Sequence, residues 1–221
     1  MRQVKYGLLF LLLLVFAAGC SDFFSASLAP WAARDPADLI PDVDAGNVWE
    51  LVKLTEDDPD LSLELLKNIR GAAAGASPPD QAKLWAAGLT AAANASELGS
   101  AILRNLRGKD DLNADGIRSL INNALNDAGN LRAAAAVLEQ ILGTDPVTAN
   151  PGFVNAASAG DLAMAAAILL AAEAKQSGLS NFIDSYMPDP GSLIYKLAAE
   201  AYGKPDVSGA IKDVIDGLNL I

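Results

Sequence analysis

From Asp44 onward the apolar positions recur at helical spacing, and no alternating run of β-branched residues appears, so the pattern predicts helices and no strands. Asn47 to Leu54 reads as a first short helix. Asp58-Pro59 opens the next with a capping carboxylate and a proline in the first turn. It then places Leu61, Leu65, Leu66 and Ile69 on one face, and Gly71 and Gly75 are expected to close it. Ser77-Pro78-Pro79-Asp80 starts an Ala-rich helix that runs through Asn94, and Ser96 to Leu106 forms another that ends at Gly108. Leu162 to Ala172 is apolar throughout but is bracketed by Asp161 and Glu173, and it falls short of the roughly 20 residues a membrane-spanning helix needs. It reads as a buried helix between neighbours. The last segment, Asp206 to Leu218, puts Val207, Ile211, Val214, Ile215 and Leu218 on one stripe with Lys212, Asp213 and Asp216 outside it. That stripe predicts a terminal helix covering the end of the stack.

The start of the chain follows another pattern. Arg2 and Lys5 precede an apolar stretch, Leu8 to Phe16, followed by the small residues Ala17, Ala18 and Gly19 and then Cys20, the single cysteine. The stretch is too short to span a bilayer. The run Ala17-Ala18-Gly19-Cys20 resembles the lipobox of bacterial lipoproteins. That resemblance implies diacylglycerol attachment to the Cys20 thiol, cleavage before it, and acylation, typically by palmitate, of the new N-terminus. Several acyl chains make anchoring stable. Ser21, rather than an aspartate, follows the cysteine; in lipoproteins of enteric-type bacteria this implies sorting to the outer membrane, facing the periplasm. The expected organisation is a cleaved signal peptide over 1–19, a lipid-anchored tether over 20–43, and one all-α domain over 44–221. Pro30, Pro36 and Pro41 deny the tether a long helix, while Phe23, Phe24 and Trp31 suit packing on the domain or contact with the membrane interface.

Two segments of the domain align with each other. Gly129-Asn130-Leu131 leads to Ala134, Leu138 and Ile141, and Gly160-Asp161-Leu162 leads to Ala165, Leu169 and Ala172, with offsets of 5, 9 and 12 from the glycine in both copies. The pattern is similar to the second helix of a tetratricopeptide repeat, in which small residues let helices approach and large ones fill the neighbour's groove. Ile121 and Leu125 take the apolar positions of the preceding helix in the first copy, whereas Asn150-Pro151-Gly152 cuts the second short. The fold expected is therefore all-α, with antiparallel helical hairpins stacked as a small bundle or short solenoid, repeat-like over residues 115–177.

Composition narrows the chemistry. Alanine supplies 42 of the 221 residues, and the chain has no histidine. This removes Ser-His-Asp and Cys-His catalysis and His-ligated metal, and a lone cysteine removes intrachain disulfides and Cys-rich zinc sites. Loss of Arg2 and Lys5 with the signal peptide takes the net charge from −11 to −13. Such a chain is a poor ligand for nucleic acid or for anionic lipid surfaces. No G-x-S-x-G, Ser-x-x-Lys or phosphate-loop motif occurs. The expectation is a protein without enzymatic activity.

One stretch has metal-ligand spacing. Asp111, Asn113 and Asp115, followed by Gly116, resemble the first half of an EF-hand or dockerin-type calcium loop. Arg118 stands at the normally apolar eighth position and Asn122 at the twelfth, where that family has glutamate. The competing reading is a helix N-terminus, with Asn113 as cap and Asp115 in the first turn. The acidic run Glu56-Asp57-Asp58-Pro59-Asp60 reads as a solvated helix start. Trp31, Trp49 and Trp85 are candidates to line a groove or to sit in the core. The functional expectation is a membrane-anchored envelope scaffold or adaptor for a protein partner. The alternative is a small-molecule-binding component of a periplasmic transport system.

Overall fold

Asp58 starts a helix as its sequence predicts. Its carboxylate accepts the backbone N–H groups of Asp60 (3.1 Å) and Leu61 (3.0 Å), two donors that no helical carbonyl could satisfy. The structure is a computed structural model that describes residues 39–98, 129–177, 186–187 and 189–221. The chain divides between Leu39 and Ile40, and all described residues but Leu39 belong to the second unit. Cys20, Trp31, residues 99–108 of the helix expected to end at Gly108, the loop Asp111–Asn113–Asp115 and the helix carrying Ile121 and Leu125 lie outside the described residues.

The described elements are all helical: α1 (Val48–Thr55), α2 (Pro59–Ala74), α3 (Pro78–Ser96), α4 (Leu131–Leu142), α5 (Pro146–Ala149), α6 (Pro151–Ala156), α7 (Ala159–Ser177), α8 (Leu193–Gly203) and α9 (Gly209–Gly217). This all-α architecture is a bundle. Helix α3 occupies its centre and packs against α1, α2, α4, α6 and α7. Every residue from Leu84 to Leu89 is buried, so α3 has no solvent-facing stripe through its middle. Small side chains permit this: Ala86, Ala87, Ala91, Ala92 and Ala95 let several neighbours approach, while Leu84, Trp85 and Leu89 fill the space between them. At Gly88, Ile141, Ile69 and Leu66 converge on the position a Cβ would take, at ordinary contact distances of 3.6 to 3.7 Å.

Helix α7 repeats this logic. It contains Leu162 to Ala172, is buried along most of its length, and packs against α3, α4, α8 and α9. Its start is tied down from two directions. The Ser158 hydroxyl accepts the Asp161 N–H (3.1 Å) and donates to the Asp161 carboxylate (2.6 Å), and the Ala159 N–H donates to Asp206 (3.1 Å).

The two aligned segments become α4 and α7, and five of their six aligned positions are buried, Ala172 being half-buried. Between them, Gly143 ends α4 at φ 63° and ψ −155°, a conformation reserved in practice for glycine. Asp145-Pro146 and Asn150-Pro151 then start two short helices, and the second of these, α6, packs on α3. The prolines at 146 and 151 thus divide the leg that precedes α7 and turn it toward the central helix.

Helix ends depart from the pattern in three places. Ser96, expected to open the next helix, is instead the last residue of α3, and Glu97 follows it in the left-handed conformation at φ 55°. Gly71 lies inside α2, which continues to Ala74 and is capped by Gly75. Val207 lies before α9, because Ser208 takes the cap and accepts the Ile211 N–H (3.3 Å). Ile215 and Leu218 are buried on the core, as a covering helix requires.

Candidate functional surface

The buried polar side chains of the bundle are spent on the fold. Ser62 donates its hydroxyl to the Thr55 carbonyl (2.7 Å), joining α2 to the end of α1, and Thr55 donates to Val52 (3.3 Å). Ser96 donates to Ala93 (3.0 Å) at the end of α3. Asn150, 5% exposed, donates through Nδ2 to the Pro78 carbonyl (2.8 Å) and to the Gln81 side chain (3.1 Å), which fixes the start of α6 beside α3. The Lys204 ammonium donates to the carbonyls of Val154 and Ala157 and closes the other end of α6.

The tryptophans separate clearly. Trp85 belongs to the core, where its ring meets Phe153 edge to face with centroids 5.6 Å apart. Trp49 stands on the outer side of α1 and is 45% exposed, and Leu54 on the same helix is 71% exposed. Trp85 therefore lines no groove.

Among the described residues, concave surfaces open to solvent include the following two. The larger, about 500 Å³, lies between the turn at Val43–Gly46 and the end of α2, with Gly71, Ala72, Gly75 and Ala76 as its floor and Asp80 and Leu84 of α3 at its side. Its two carboxylates are held locally. Asp44 accepts the N–H groups of Gly46 (2.6 Å) and Asn47 (3.0 Å), and Asp80 accepts the Ser77 hydroxyl (2.7 Å). A Cβ added at Gly71 or Gly75 would meet nothing within 4 Å.

The smaller, about 290 Å³, lies along the seam between α4 and α7, with Ala135, Ala136 and Ala172 as its floor and Arg132, Glu139, Glu173 and Gln176 at its rim. Partial burial raises the pKa of Glu173, and the neighbouring charge of Glu139 adds to the effect. The Arg132 guanidinium donates to the Lys175 carbonyl (3.2 Å) at the end of α7. Burial likewise raises Tyr186, offset by its hydrogen bond with Ser192 and assisted by the charges of Glu173 and Asp189. Asp145 moves the other way: the Thr148 N–H and then the Lys196 ammonium lower its pKa, the ammonium lying 3.1 Å from its carboxylate.

The acidic run before α2 does structural work, since Asp58 caps the helix and Asp60 accepts from the Asn130 side chain (2.8 Å). Among the described residues no three His, Cys, Asp or Glu side chains are grouped to hold a metal ion, and no helix is long and apolar enough to cross a membrane. Sequence reasoning missed the Glu139–Glu173 seam and the role of Asn150, because each joins positions far apart in the chain. The chain matches no protein-family model, and no curated protein or solved structure matches it.

Proposed function

We propose that this chain is a lipid-anchored protein of the bacterial cell envelope whose helical bundle serves as a non-enzymatic scaffold for a protein partner. The observation that carries the reading is the run Ala17-Ala18-Gly19-Cys20 behind a basic start and a short apolar stretch. In this reading Cys20 carries the lipid, the tether sets the distance from the membrane, and the bundle works by presenting surface. Two features support a binding role. Thr55, Ser62, Ser96 and Asn150, the buried polar residues among those described, are engaged in the fold's own hydrogen bonds. Trp49 and Leu54 offer apolar side chains on the outside of α1, where a partner would meet them.

The test has two arms in bacterial cells. With Cys20→Ala, incorporation of a clickable palmitate analogue is lost, and the protein becomes soluble or remains as an uncleaved inner-membrane precursor. Normal sorting of that variant would refute the anchor. A photo-crosslinking residue at position 49 of the lipidated protein yields a discrete protein adduct. Adducts with lipid alone, or none, would refute the scaffold reading. The second reading, a small-molecule-binding component, draws on the groove beside Gly71 and Gly75, whose volume of about 500 Å³ suits a small ligand.

A further inference from the structure

We draw no further inference here: the strongest candidate, the groove between the Val43–Gly46 turn and the Gly71–Ala76 end of α2, is floored by a stripe of small residues and rimmed by two aspartates already held by their own turn and cap, and nothing in the structure shows what covers it.

Discussion

Replacing Phe153 with alanine should detach the shortest well-anchored part of the bundle. Helix α6 spans six residues, too few to persist alone, and Phe153 is its one buried side chain. The ring is fully buried and meets Trp85 edge to face at 5.6 Å, with planes at 78°. Full burial of a phenylalanine side chain contributes about 1.5–3 kcal/mol, and the aromatic pair adds about 0.5–1.5 kcal/mol. A cavity left beside Trp85 raises the cost further, which gives about 4 kcal/mol for Phe153→Ala. Leucine keeps much of the volume and should cost under about 1.5 kcal/mol.

The loss of about 4 kcal/mol is a large part of a typical domain stability of about 5–15 kcal/mol, and for a chain of this size it lowers Tm by roughly 8–16 °C. The assay is urea unfolding of the chain from residue 21 onward, followed by far-UV circular dichroism and by tryptophan fluorescence. A double-mutant cycle with Trp85→Leu and Phe153→Leu isolates the ring contact and should return a coupling of about 1 kcal/mol. A loss below about 1.5 kcal/mol for Phe153→Ala, or a coupling near zero, would show that Trp85 and Phe153 do not join α6 to α3.

Three further outcomes follow from the same geometry. Gly88→Ala should stabilise the bundle by about 0.5–1 kcal/mol, because a Cβ there stands 3.6 Å from Ile141 and Ile69 and alanine favours the helix; Gly88→Leu should overpack and cost about 1–3 kcal/mol, so equal effects in thermal melts would sink the reasoning. Glu173 has a raised folded pKa, so its contribution to stability is greatest below pH 4.5 and falls as pH rises through the folded value. Glu173→Gln should therefore gain stability at neutral pH and flatten the pH dependence, by no more than about 0.5 kcal/mol because solvent screens the pair; identical pH profiles for variant and parent would contradict this. Calcium should leave Tm unchanged if Asn113 and Asp115 serve a helix start, whereas a rise of several degrees that disappears in Asp115→Ala would make Asp111, Asn113 and Asp115 a calcium site.

How much of this bundle could be read from the sequence depends on how local each cause is. Asp58-Pro59 and Ser77-Pro78 announce helix starts because the proline and the residue before it act within a single turn, whereas the start at Asp145-Pro146 was not anticipated. Gly71 misleads for a related reason. A helix bears the cost of one glycine, about 1 kcal/mol, when residues on both sides are packed, and here Ile69 and Ala73 are buried on either side of it. Trp49 and Trp85 look alike in sequence, since only tertiary contact decides which ring the core receives. Asn150 reads as a break between helices, yet its amide is used 69 and 72 residues away, at Gln81 and Pro78. Glu139 and Glu173 rim one groove only because α4 and α7 share a seam.

The centre of the bundle was legible from its alanine-rich composition and helix-start residues rather than from a stripe, and the reason is physical. A helix buried on one side announces itself by a stripe, whereas one surrounded by neighbours is apolar in every direction and has no stripe to detect. Helix α3 and the Ala-rich part of α7 are of this second kind. Their small side chains give little specificity alone, but they allow close approach, so the outer helices are positioned by Leu66, Ile69, Leu138, Ile141 and Phe153 reaching inward. On the proposed scaffold reading, the chemistry that meets a partner lies on the outer helices. If the proposed reading holds, substitutions at Trp49 and Leu54, both exposed on α1, weaken crosslinking to a partner while leaving melting behaviour nearly unchanged, and substitutions along α3 lower the melting temperature first.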